Sequence, residues 1–336
     1  MKYQSIDEIE RDTQGLLLHN LDKQGPGHNE LSSPIIIELA DPMARFPCLA
    51  EDRKFVADSA AESLYMLSGM NSNDFIWEFR GLKDASESGY TNPAQAKHYD
   101  KYKIGSHLRF QEKHKFILDY QRTIALRQSG PMDYTDQLAV AIDILKKNKE
   151  DGSVVLQFGA LLEPLVVHSV WLHIENGKLE MLVSAGKIDN FYELPCKIVA
   201  PFAFLHQIIS ELSDVPMGSS RFMIGCLYTS VLTHPRFLRF SNSPIINTHS
   251  FRYPYGNLSL RDVDTVMSIM LEFVARLDEN SLVRANPFEG DDRVQMWSDY
   301  AEVFRAWKAE KLGYKIQMEQ NFYHPQLRFI YKGETV

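Results

Sequence analysis

Leu165 to Ile174 is an almost unbroken apolar run rich in β-branched and aromatic residues, and Leu179 to Val183 is a shorter one. Between them stands Glu175-Asn176-Gly177-Lys178. Asn-Gly flanked by apolar runs predicts a tight hairpin, because both central residues of a type I′ turn need positive φ. A polar loop holding Asp189 follows, then Leu194-Pro195, then an apolar stretch from Ile198 to Leu212 long enough for a buried helix. The stretch from Glu163 to Ile198 thus reads as strand, turn, strand, loop and the approach to a helix.

Residues 1 to 30 read as a short polar helix or strand followed by a loop broken at Gly25-Pro26-Gly27. Pro34 to Leu39 is β-branched and predicts a strand ending at Asp41-Pro42. From Lys54 to Leu67 apolar residues recur at helical spacing, with Asp52 as a candidate cap and Gly69 as a candidate stop. Residues 84 to 101 are polar and rich in turn formers, which predicts a surface loop, and Phe116 to Arg127 reads as helical. Thr135 to Lys149 carries Leu138, Ile142 and Leu145 on one face and lysines near its end, where cations suit the helix dipole. Val154 to Phe158 predicts a strand leading into the hairpin. Downstream, Phe222 to Val231 reads as a strand, Asp262 to Leu277 and Asp299 to Leu312 as helices, and Phe322 to Tyr331 as a terminal strand or extended tail. Strands and helices mix without strict alternation, which predicts an α+β fold with a mixed sheet.

The composition narrows the function. With 336 residues and 44% apolar content the chain can bury a sizeable core. A net charge of −8 opposes a general nucleic-acid binder, which needs a concentrated basic face. Cys48, Cys196 and Cys226 are too few and scattered for a disulfide framework, and no C-x-x-C pair points to zinc. The polar N-terminus has no signal-peptide core, and eighteen uninterrupted apolar residues occur nowhere, so the expected setting is cytoplasmic, with no membrane. Phosphate-loop, dinucleotide, zinc-protease and nucleophile-elbow motifs are missing. His168 and His173 are an odd number of residues apart, which on one strand puts them on opposite faces and opposes a shared metal. Asn257-Leu258-Ser259 fits a glycosylation sequon and reads as accidental in a chain with no secretion signal.

Several segments, taken in order, carry a resemblance: Asp41-Pro42-Met43-Ala44-Arg45-Phe46; AAESLYMLSGMNSNDFI from Ala60; Ile104-Gly105-Ser106-His107-Leu108-Arg109; DQLAVAIDILKKN from Asp136; VVLQF from Val154; the strand ending Asn176-Gly177-Lys178-Leu179; then Asp189 and Leu194-Pro195. Together they resemble the thymidylate synthase and deoxycytidylate hydroxymethylase superfamily, over roughly Pro34 to Ser230. The resemblance implies a thymidylate-synthase-like core over 31–235, after an N-terminal polar segment (1–30) and before a helical extension (236–336) packed on the same domain. It also implies a large mixed β-sheet flanked by helices, and a homodimer paired through that sheet. In this family a cysteine thiolate adds to C6 of a pyrimidine nucleotide, so that C5 attacks the one-carbon unit of methylene-tetrahydrofolate. Arginines hold the 5′-phosphate, and a glutamate, an aspartate and an asparagine handle protons, folate and the base edge.

This sequence departs from that pattern at the decisive positions. The family's Cys-to-Gly spacing, counted back from Gly177, lands on Val166, so the nucleophile is missing. Gly186-Lys187 replaces an Arg-Ser pair, Gly152-Ser153 replaces an Arg-Arg pair, and Lys197 replaces the base-reading asparagine. The ribose-gripping His and Tyr fall on Tyr228 and Ser230, or on Cys226 and Tyr228 in a shifted alignment. Glu62 and Asp189 match the family's catalytic glutamate and folate-contacting aspartate, and each equally suits a structural carboxylate. Arg109 matches a family arginine, with surface pairing as its plainer role. Cys196 reads as a small buried hydrophobe, and Cys226 as a better candidate for facing the cleft. Lys187, Lys197 and Arg221 are candidate anion contacts, and Trp171 on the first hairpin strand joins the ligand-binding candidates.

Two readings follow. One is a homolog that has lost pyrimidine C5 methylation and serves as a repurposed ligand-binding protein or dimeric scaffold. The other is an active pyrimidine C5 (hydroxy)methyltransferase or related nucleotide-modifying enzyme, with a repositioned nucleophile (Cys226 or Cys196) or chemistry without a covalent enzyme adduct, and with methylene-tetrahydrofolate as cofactor if the ancestral reaction type survives; an unrelated α+β protein is the remaining alternative.

Overall fold

The computed structural model describes residues 1–24, 30–31, 33–46, 53–69, 108–109, 111–112, 134–158, 166–190, 193–229, 258–277, 286–313 and 322–332. The strands are β1 (Lys2–Tyr3), β2 (Glu30–Leu31), β3 (Ile35–Leu39), β4 (Gln111–Glu112), β5 (Tyr134–Thr135), β6 (Ser153–Gln157), β7 (Val167–Glu175), β8 (Lys178–Asp189) and β9 (Met217–Tyr228). The α-helices are α1 (Ile6–Gln24), α2 (Arg53–Ser68), α3 (Gln137–Lys147), α4 (Ala200–Ser213), α5 (Leu260–Ala275), α6 (Gln295–Lys311) and α7 (Pro325–Lys332). The predicted loop at 84–101 and helix at 116–127, with Asp52 and Ser230, lie outside the described residues.

The hairpin β7–β8 closes through Asn176 (φ 53°) and Gly177 (φ 71°), the two positive φ values that the Asn-Gly pair predicts. From it grows a mixed sheet in the order β1-β3-β9-β8-β7-β6, with β2 also pairing β9. β8 and β9 run parallel, as do β1 and β3, and the other pairings are antiparallel. Parallel neighbours need a crossover, and α4 supplies it between β8 and β9. The architecture is therefore α+β, a large mixed sheet flanked by helices.

One face of the sheet is covered by helices. Val170, Leu172, Met181, Val183, Phe222, Ile224 and Ile37 are buried there beside Phe202, Leu205 and Ile209 of α4. Helix α2 is buried along nearly its whole length, from Val56 to Leu67, as expected of a helix enclosed by other elements. Phe204 of α4 stacks on Tyr300 (5.3 Å) and meets Trp297 edge-on (5.7 Å), tying α6 into the same core. Alternate side chains point to the other face, where Ile36, Trp171 and Met223 are 53%, 45% and 37% exposed.

Helix ends follow local chemistry. Asp136 caps α3 by accepting from the Ala139 N–H at 3.1 Å. Ser259, the serine of the sequon, forms a capping box with Asp262 at the start of α5. Gly69 (φ 71°) follows the last turn of α2.

The structure corrects several expectations. The N-terminal segment forms a 19-residue helix, α1. Asp189 ends a 12-residue strand instead of lying in a loop. The C-terminal segment is a helix, α7, because tertiary contacts hold both of its ends: the Asp299 carboxylate accepts from the Tyr323 and His324 N–H groups (2.6 and 2.8 Å), and Arg53 donates to the Ile330 and Tyr331 carbonyls. A bulge between Val167 and Ser169 breaks the strand alternation. It leaves His168 over Gly186, on the same exposed face as His173, so the odd spacing does not separate the two rings across the sheet.

Candidate functional site

Beyond the last helix-covered rung of the parallel pair, the core-facing alternation continues into polar residues. Ala185 pairs with Ile224 inside the core, then Lys187 with Cys226 and Asp189 with Tyr228. These are the carboxyl ends of parallel strands joined by a helical crossover, a place where open α/β sheets bind ligands. Immediately after β8, Leu194–Val199 forms a π-helical turn, with the Ala200 N–H donating to the Pro195 carbonyl. Such turns occur frequently at functional sites.

The π turn brings Lys197 within 3.7 Å of Glu193, both buried. Glu193 also accepts from the backbone N–H of Asp189 at 2.9 Å, so one carboxylate fixes both the strand end and the lysine. Asn190 donates its backbone N–H to the Tyr228 carbonyl at 2.7 Å, locking the end of β8 to β9. Burial, reinforced by Glu193, Asp189 and Cys226, pushes the Tyr228 phenol up to about 12, so it remains a proton donor at neutral pH.

A second cluster adjoins the first through Tyr228. Lys187 pairs with Glu30 of β2 at 2.5 Å, and its ammonium lies 5.0 Å from the centre of the Tyr228 ring. The Cys226 thiol faces the same Glu30 carboxylate at 4.0 Å. Burial and then Glu30 raise its pKa, disfavouring the thiolate that nucleophilic attack needs.

Asp189, Lys197, Tyr228, Lys187 and Cys226 are thus gathered in one place, while the other candidates lie elsewhere. Lys187 and Lys197 sit in ion pairs with carboxylates, which weakens their reading as anion contacts. Arg221 lies on the exposed face between Glu38 (3.5 Å) and Glu180 (3.9 Å). Trp171 is also on that face, donating its indole N–H to Ser153 Oγ at 2.7 Å and stacking on His173. Arg109 is buried, not surface-paired, and its guanidinium donates to Asp136 (3.0 Å), Asp264 (2.8 Å) and the Leu67 carbonyl (3.2 Å). Glu62 is buried on α2, within the helical layer. Cys196 is fully buried with its thiol 3.8 Å from the Phe55 carbonyl, so it packs the π turn against α2. Val166 is buried just before β7, its carbonyl accepting from the Gly186 N–H at 2.8 Å.

Sequence reasoning missed Glu193, Asn190 and Glu30. Glu193 and Lys197 stand four apart, a spacing that signals a helical ion pair, but only the π turn puts that pair inside the protein. Glu30 gave no signal, because its role comes from the pairing of β2 with β9.

Among the described residues, no three His, Cys, Asp or Glu side chains gather as metal ligands, and no helix is long and apolar enough to cross a membrane. No family model matches the chain, and no curated protein matches it.

Proposed function

We propose that this chain is a thymidylate-synthase-like protein without the ancestral methyl-transfer chemistry, whose cleft at the ends of β8 and β9 binds a small ligand of low negative charge. The observation that carries this reading is Val166, an apolar and buried side chain where the resemblance requires a cysteine nucleophile. Neither described thiol is a ready substitute: Cys196 is enclosed against α2, and Cys226 is disfavoured as a thiolate. The carboxylates beside Lys187 and Lys197 support a ligand less anionic than a nucleotide monophosphate, because charge-assisted phosphate contacts need donors not already committed. The exposed sheet face with Ile36, Trp171 and Met223 supports the accompanying proposal of a homodimer paired through the sheet.

Two measurements test the reading together. Thermal shift with dUMP, dCMP, CMP, the pyrimidine nucleosides and methylene-tetrahydrofolate is expected to show stabilisation by a nucleoside-sized ligand, with phosphate adding nothing. Tritium release from a C5-labelled pyrimidine in the presence of methylene-tetrahydrofolate is expected to stay at background. Release that disappears in Cys226→Ala or Cys196→Ala establishes the active transferase instead, and no shift with any compound leaves only a scaffold.

A further inference from the structure

At the end of the sheet opposite Asp189 and Tyr228, the β7–β8 turn, the end of β3 and the first residues of β9 line a groove of about 590 Å³. That is the size of a small-molecule site, but its lining is charged where such sites are usually apolar. Four carboxylates and three cations face it, and its apolar lining is limited to Ala40, Pro42 and Met217. Most of the charges are already engaged. Lys2 pairs with Glu38 at 2.9 Å, and Arg221 stands between Glu38 (3.5 Å) and Glu180 (3.9 Å). Asp41 accepts from the Met43 N–H at 3.0 Å, and Glu175 faces His173 at 3.6 Å.

Two groups of opposite charge are left over. The Glu180 side chain is 13% exposed and held in one orientation, because the Ser219 N–H and hydroxyl both donate to its Oε2, at 3.1 and 2.6 Å. Its Oε1 accepts no hydrogen bond among the described residues and lies over Gly218, in space that a Cβ would fill. Glycine at 218 therefore lets a fixed carboxylate keep one oxygen open to the groove. Lys178 is exposed and makes no ion pair among the described residues. It lies two residues before Glu180 on β8, so both side chains share a face and their Cα atoms are about 6.5 Å apart. We propose that this groove binds a free α-amino acid with an uncharged polar side chain, its ammonium donating to Glu180 Oε1 and its carboxylate accepting from the Lys178 ammonium. A small zwitterion satisfies both leftover charges with charge-assisted hydrogen bonds. The other ions of the lining compensate one another, which leaves neutral polar contacts for the side chain.

Calorimetric titration and thermal shift of the full chain with glutamine, glutamate, 4-aminobutanamide and 4-carbamoylbutanoate test it. Glutamine should bind and raise the unfolding midpoint, and glutamate should bind more weakly. 4-Aminobutanamide lacks the carboxylate and 4-carbamoylbutanoate the amine, so each should bind about tenfold or more weakly than glutamine, the order expected for one lost charge-assisted contact. Glu180→Gln, which keeps an acceptor for Ser219, and Lys178→Gln should each weaken glutamine binding by about tenfold or more. Lys147→Gln, on the exposed side of α3, should change nothing. Should Glu180→Gln lower the ligand-free midpoint, Lys178→Gln, at the exposed start of β8, decides alone. Equal binding of 4-aminobutanamide and glutamine overturns the zwitterion assignment, and tighter binding of glutamate overturns the neutral side chain. Glutamine binding that survives Lys178→Gln unchanged, or a wild type that binds none of the four, overturns the proposal. The groove is separate from the ends of β8 and β9, so nucleoside binding there neither supports nor removes it.

Discussion

His206 is fully buried between Ser220 Oγ (2.8 Å from Nδ1) and the Leu179 carbonyl (2.7 Å from Nε2). A carbonyl only accepts, so Nε2 carries the proton and Nδ1 accepts from the serine hydroxyl. Burial lowers the pKa from 6.5 to about 4. Because the unfolded chain binds this proton more readily than the folded one, the stabilisation is complete above about pH 6.5 and is lost as pH falls towards about 4. His324, lowered to about 3 mainly by burial, acts in the same direction. His206→Gln should lose about 1 to 3 kcal/mol at pH 7 and show a shallower decline between pH 6.5 and 4 in urea unfolding. Parallel pH curves for the two proteins exclude this role. Gly218 is constrained differently: a Cβ there stands 2.8 Å from the Leu179 carbonyl oxygen and collides with the Glu180 carboxylate. Glu180 in turn holds the Ser219 N–H and hydroxyl at 3.1 and 2.6 Å. Gly218→Ala should therefore destabilise by about 1 to 3 kcal/mol, measured by the same unfolding curves.

Between elements, Arg109 is the clearest tie. Its partners are the cap of α3 (Asp136), a residue of α5 (Asp264) and the last turn of α2 (Leu67). Burial raises the Asp136 pKa and Arg109 opposes that rise, so removing the arginine leaves a desolvated carboxyl beside a second acid. Arg109→Met should cost about 2 to 4 kcal/mol in chemical unfolding, whereas Asp264→Ala, which removes the half-exposed partner, should cost about 1 kcal/mol or less. Equal effects from the two changes contradict this asymmetry. The elements themselves were legible where their causes are local. The hairpin turn needs only the φ preferences of Asn176 and Gly177, and α3 needs only its cap, periodicity and terminal lysines. Helix α7 was misread because Phe322 to Tyr331 is rich in aromatic and β-forming residues. Asp299 and Arg53, far away in sequence, overrule that preference.

At the scale of the molecule, one sheet face is buried by helices and the other exposes Ile36, Trp171 and Met223. The proposed dimer predicts that the chain sediments at twice its monomer mass at micromolar concentration, and that Ile36→Lys combined with Trp171→Glu yields a folded monomer. A wild-type monomer removes the dimer. Hydrophobic patterning and turn chemistry determined the fold class and the central strand-turn-strand, because those depend on neighbours along the chain. The sequence also places valine at position 166 and Asp189, Lys197 and Tyr228 in the segments around the ends of the predicted strands. Only the tertiary structure decided what these residues face. It pairs Lys187 with Glu30 and encloses Cys196 against α2, places Arg109 and Trp171 away from the ends of β8 and β9, and leaves the Asn190 amide buried without a partner. The reason is physical: charge compensation and desolvation depend on distances through space, and contacts such as Arg109 to Asp264 join residues 155 positions apart.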